Sequence, residues 1–106
     1  MRAALGMYPE LAGIVAYNDP SALGAVAACL ASGRSGVIAI GNNGGTDGRH
    51  GVKRGRLAAT VQVDWPGMVV TLMRATYLKT IYPETQIPKI MLANNVLVGC
   101  THNIAN

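Results

Sequence analysis

The stretch from Gly13 to Gly24, GIVAYNDPSALG, constrains the fold of this chain more than any other. Ile14, Val15, Ala16 and Tyr17 form a short β-branched and aromatic run without polar alternation, the pattern of a strand buried on both faces of a sheet. Asn18 and Asp19 end it. Pro20 suits the first position of a helix, because its φ is already helical and its missing N–H would have no partner there. Asp19 is then the expected N-cap, its carboxylate accepting from free N–H groups and facing the positive end of the helix dipole. From Ser21 to Ala31 nearly every residue is small or apolar, and Ser32-Gly33 supplies the stop. Strand, polar corner and helix make half of a βαβ unit. Ligands of open parallel sheets collect at the carboxyl ends of strands, which is where Asn18 stands.

Length limits what can be built on that unit. A chain of 106 residues, 50% hydrophobic, buries one modest core and no more than one domain. Its 13 glycines and 5 prolines lie between apolar runs, as punctuation of alternating strands and helices; disorder would need lower hydrophobicity. The net charge of +4 is concentrated from Arg49 to Arg56, a local patch on a weakly charged surface. Cys29 and Cys100 share no CxxC or zinc-type spacing and are too few for a disulfide framework. Met1-Arg2 leads into a short segment broken by Pro9, without the long apolar stretch of a signal peptide. The most apolar helix, 21–31, is far shorter than the ~20 residues that span a bilayer.

In chain order, Ala3 to Met7 has helical character and Tyr8-Pro9-Glu10-Leu11 reads as its exit turn, so residues 1–12 are expected to be the remnant of a helix that begins upstream in a longer parent. Val37 to Ile40 is a second apolar strand, followed by the polar corner Gly41-Asn42-Asn43-Gly44-Gly45-Thr46. Asp47 is expected to cap a short helix that runs to Arg54 and stops at Gly55. Leu57 to Val63 is strand-like, and Trp65-Pro66-Gly67 ends it. Met68 to Thr80 sets Met68, Leu72, Ala75 and Leu78 on one face, which predicts burial on one side only. Tyr82-Pro83 ends that helix. The apolar clusters 90–93 and 96–98 then fit a bent strand or a hairpin-like pair.

This alternation predicts an α/β fold, a three-layer arrangement with a mostly parallel sheet flanked by helices. Right-handed crossovers bring the polar corners to one edge, so Asn18, the Asn42-Asn43 loop and the segment from Gln62 to Trp65 are expected to converge. Amides dominate that edge. Because an amide both donates and accepts, it suits a ligand rich in hydroxyl groups.

Competing chemistries find little support. The loop at 42–48 has neither Lys-Ser/Thr nor G-x-G-x-x-G, which argues against nucleotides, and its Gly/Asn content also fits a turn that needs φ > 0. Arg49, His50, Lys53, Arg54 and Arg56 read as a short helix with charges facing water, since no nucleic-acid reader motif accompanies them. Asn18-Asp19-Pro20 also fits a plain strand exit and helix cap. Catalysis is not expected: the carboxylates look like caps and turn residues, His50 and His102 share no metal-type spacing, and Ser21 lacks a nucleophile elbow. No cofactor or metal is implied. Cys29, among Ala and Leu, reads as a small buried apolar residue.

Four ordered segments, AYNDPSALGA, VIAIGNNGGTDG, GRLAATVQ and IPKIMLANNVLV, resemble the C-terminal lobe of the sugar-type periplasmic substrate-binding proteins of ABC importers, a fold shared with lac-repressor-type effector domains. The resemblance covers nearly the whole chain. It implies that residues 1–106 are a single partial lobe, with 57–66 as a hinge-proximal strand, and that the N-terminal lobe is missing. It further implies a periplasmic parent, a sugar or polyol ligand and a membrane permease as partner. The family's Asn-Asp pair maps onto Asn18-Asp19, the Asn contacting sugar hydroxyls. Its Gly-Phe-Asp-Gly corner maps onto Gly41-Asn42-Asn43-Gly44, so Asn43 stands where the family has a sugar-binding Asp; unlike an Asp, it can also donate. A third ligand position, often Gln, falls near Val63, with Gln62 one residue away on the opposite side of the strand. Trp65 could stack on a sugar ring or cover the hinge edge. An effector lobe of a transcription regulator and a non-binding α/β interaction module are the alternatives. An incomplete lobe would leave a sheet edge exposed, which predicts self-association.

Overall fold

Where the sequence alternates apolar runs with glycine-stopped helical segments, the computed structural model places eight elements: α1 (Arg2–Met7), β1 (Gly13–Val15), α2 (Asp19–Ala31), β2 (Ile38–Asn43), α3 (Thr46–Lys53), β3 (Ala59–Gln62), α4 (Trp65–Ile81) and β4 (Val96–Gly99). The structure describes residues 1–89 and 95–99. One four-stranded sheet has the order β1-β2-β3-β4, with β1 to β2 and β2 to β3 parallel. This is an α/β arrangement of the expected kind. Met1–Gln62, with the segment from Leu97, forms one compact unit, and Val63–Val96 forms a second.

In the first unit, α2 and α3 end as their glycines dictate. Gly33 (φ 72°) and Gly55 (φ 68°) take the left-handed conformation that a side chain disfavours. That turn lets the N–H groups of Gly33 and Arg34 reach the carbonyls of Leu30 and Cys29, and those of Gly55 and Arg56 reach Val52 and Gly51. Carbonyls that a helix end leaves bare are thereby paired. The two helices cover the sheet through a core of Ala22, Ala39, Val52 and Leu57, with Ile14, Ala16, Leu23 and Val26 packed around it. A Cβ on Gly51 would stand 3.0 Å from Leu23 and 3.1 Å from Leu57, so α3 approaches closely only because that residue is glycine. Cys29 is buried as a small apolar residue.

Three expectations are corrected. The N-cap of α3 is Gly45 and not Asp47, which stands inside the first turn of the helix. The strand at 14–17 is not covered on both faces: Ile14 and Ala16 pack on the core, while Val15 is 83% and Tyr17 88% exposed. An unbroken apolar run shows that both faces are apolar, not that both are covered. Nor does α4, in the second unit, begin at Met68. Asp64 caps it, its Oδ1 accepting from the Gly67 N–H at 3.0 Å, and Trp65, Pro66 and Gly67 form its first turn. Its expected stripe is half-buried at Met68 and Ala75 but exposed at Leu72 and Leu78. At its other end the Lys79 ammonium donates to the carbonyls of Pro83 and Thr85, placing a cation at the negative end of the helix. The cluster 90–93 lies outside the described residues, as do Cys100 and His102; the cluster 96–98 lies in β4.

Leu57 carries the largest buried apolar side chain of the core, and Leu30, on the outer side of α2, is mostly exposed. Leu57→Ala is expected to cost about 2 to 5 kcal/mol and Leu30→Ala less than about 0.5, read from chemical denaturation midpoints.

Candidate ligand-binding rim

The polar corner after β1 is shaped by a proline. With Pro20 at the second position of α2, that position has no N–H to offer, and the cap must reach one residue further. Asn18 does so, its Oδ1 accepting from the Ser21 N–H at 2.9 Å. The N-cap is thus Asn18, not Asp19 as the sequence suggested. Displaced into the first turn of the helix, Asp19 points inward and is only 2% exposed.

That burial organises the edge. Asp19 Oδ1 accepts from the Thr60 hydroxyl at 2.5 Å and Oδ2 from the Gly45 N–H at 3.1 Å. The fully buried Thr60 Oγ1 in turn accepts from the Gly44 N–H at 3.2 Å. A Cβ on Gly41 would lie 2.3 Å from Asp19 Oδ1, and one on Gly48 2.2 Å from Oδ2. Glycine at both positions leaves room for the carboxylate. The start of α2, the turn after β2 and the middle of β3 are therefore fastened to one side chain.

Around this knot the expected residues gather. Asn42 Nδ2 donates to the Tyr17 carbonyl at 3.3 Å, tying the end of β1 to that of β2, and Asn43 pairs in register with Gln62. Asn43 holds φ 104°, uncommon for any residue with a side chain, and Gly44 follows at φ 65°. A Cβ on Gly44 would fall 2.5 Å from the Gln62 Cα, so the turn lies directly against β3. Gln62 is engaged: its Oε1 accepts from Arg49 Nη2 at 2.7 Å, while Arg49 Nε donates to the Gly44 carbonyl at 3.0 Å. Arg49, read in the sequence as facing water with its basic neighbours, is exposed and also braces the turn from α3. Nothing in the sequence marked it apart from His50 or Lys53.

The rim's uncommitted groups are now defined. Asn18 has spent its oxygen on the cap, and its Nδ2 has no hydrogen-bond partner among the described residues. The Asn43 amide likewise has none among them. Both side chains are partly exposed, on the carboxyl ends of adjacent parallel strands. Trp65 belongs to the second unit, at the first position of α4 and 53% exposed. Asn18, Asn43 and Gln62 all belong to the first unit.

No protein-family model matches the chain. It is 39% identical over 61 residues to the ribose import binding protein of Salmonella typhimurium, a match covering 58% of this chain and 21% of that protein. Its fold matches the myo-inositol binding protein of Caulobacter, solved with myo-inositol, with a TM-score of 0.74 at 25% identity over 93% of this chain and 34% of that one. An ABC transporter periplasmic solute binding protein from Actinobacillus succinogenes 130z, solved with D-allose, matches with a TM-score of 0.69 at 30% identity over 92% of this chain and 34% of that one. Each of these is a binding protein. The chain spans about a fifth of the length of the curated relatives it matches.

The φ of Asn43 provides a test of the rim's strain. Replacing it with glycine removes the Cβ that disfavours φ 104°, so Asn43→Gly is expected to raise unfolding stability by about 1 kcal/mol, measured by thermal and urea unfolding.

Proposed function

We propose that this chain, part of the C-terminal lobe of a sugar-type periplasmic substrate-binding protein of an ABC importer, forms one wall of a cleft that holds a sugar or polyol. The observation that carries the reading is the pair of amides on adjacent strand ends that have no partner among the described residues, Asn18 Nδ2 and the side chain of Asn43. Neutral amides meet hydroxyl groups without the cost of burying a charge. Names of the similar proteins support the solute class, since they include ribose, myo-inositol and D-allose. Gln62, its oxygen held by Arg49, serves the site through its remaining Nε2 and by steadying the turn. The role in this reading is capture, which the similar proteins support, since each is a binding protein.

In this reading the rest of the cleft comes from the N-terminal lobe of the parent, and closure of the two lobes over the solute is what a membrane permease reads. The parent acts in the periplasm. By itself the wall offers half of the ligand's hydrogen bonds, and each one forgone costs about 1 to 3 kcal/mol, which places its affinity for free sugar in the weak range.

Two experiments test this. Titration of the chain with D-ribose, D-allose and myo-inositol, followed by amide chemical shifts, is expected to perturb residues 17–19 and 42–45 saturably. Asn18→Asp keeps the capping oxygen and removes the donor, so stability should hold within about 0.5 kcal/mol while affinity falls about tenfold. Shifts confined elsewhere, or an unchanged affinity in Asn18→Asp, would refute the assignment. β1 is the end strand of the sheet and carries the exposed Val15, so self-association through that edge is also proposed. Sedimentation should show concentration-dependent dimers that Val15→Lys returns to monomers.

A further inference from the structure

We propose that Asp19 is a positioning residue for the rim, acting through Thr60 and the Gly44-Gly45 turn on Asn43; the proposal rests on the reading that Asn18 and Asn43 contact the solute. An Asn at φ 104° persists only where its surroundings over-determine it. What fixes the chain immediately after Asn43 is the pair of bonds from the Gly44 N–H to Thr60 Oγ1 and from the Gly45 N–H to Asp19 Oδ2. Both bonds end in one circuit, closed by the Thr60 hydroxyl donating to Asp19 Oδ1. Asp19 is at the same time the residue after Asn18, so the circuit sets the distance between the two amides from both ends. Water cannot substitute for it, because the carboxylate and the hydroxyl are almost completely buried. Arg49 steadies the turn from outside through the Gly44 carbonyl, but it leaves the two N–H groups to the circuit.

Thr60→Val keeps the volume of the side chain and removes both the donor to Asp19 and the acceptor for Gly44. Asp19→Asn keeps the shape and turns one acceptor into a donor. Amide hydrogen exchange read residue by residue on the whole chain is expected to show Gly44 and Gly45 exchanging about tenfold faster in each variant, with Ala39 and Val52 in the core close to their original rates. Thr60→Ser, which retains the hydroxyl, should restore protection at both glycines. In parallel, D-ribose, D-allose and myo-inositol should bind about tenfold more weakly to Thr60→Val, with affinity recovered in Thr60→Ser.

Either variant folding with Gly44 and Gly45 unchanged would overturn the proposal. So would loss of protection throughout the core in both variants, since Asp19 would then serve the fold and not the rim. Failure of the unsubstituted chain to bind any of the three solutes would count against the ligand reading alone. The exchange pattern would still decide whether Asp19 holds Asn43.

Discussion

The polar edge of this molecule depends on a carboxylate withdrawn from water at the start of α2. Burying an ion costs several kcal/mol unless its environment replaces the lost hydration, and here three sources do so: the N-terminal end of the helix dipole, the hydroxyl of Thr60 and the amide of Gly45. Space is the other requirement. Gly41 and Gly48 are not among the positive-φ residues, so their lack of a side chain answers to volume and not to turn geometry. Part of what reads as glycine punctuation is the mould of Asp19.

The first turns of α2 and α4 follow one rule. In Asn18-Asp19-Pro20-Ser21 and in Asp64-Trp65-Pro66-Gly67, a capping side chain is followed two residues later by proline, and the cap accepts from the N–H one residue beyond. Proline at the second helical position removes the nearer donor and leaves the cap a single target. At α2 this has a chemical consequence. A cap uses only the oxygen of an asparagine, so Asn18 is anchored by its carbonyl and presents its NH2 group outward. Cap and ligand contact, which compete as explanations in the sequence, are compatible on opposite ends of one amide.

The turn after β2 joins strain to support in the same way. Asn43 and Gly44 take successive positive φ values that fold the chain back against Gln62, and that conformation is held from beneath by Thr60 and from the side by Arg49. A rim assembled from short side chains on strand ends is fixed by the buried bonds behind it. Such preorganisation favours affinity because less ordering remains to be done on binding.

Much of this was legible before any coordinates. The alternation of strands and helices and both glycine stops follow from local rules that act within a few residues, namely period, capping and turn chemistry, and the gathering of Asn18, Asn43 and Gln62 on one edge follows from the handedness of the crossovers between those strands. Which of Asn18 and Asp19 caps α2 was not legible, because both residue types cap well and Pro20 fits the first helical position as well as the second; the partner that takes up the displaced Asp19, Thr60, stands 41 positions away in the chain. The same holds for Arg49, singled out from its basic neighbours only by the carbonyl and amide it meets, and for Val15 and Tyr17, whose apolar character is local but whose covering is not. Sequence determined the elements and the amide chemistry of their ends, since those are properties of neighbours along the chain. Tertiary structure decided which polar atoms are consumed, because a buried carboxylate takes its partners from whatever the fold brings within hydrogen-bond reach.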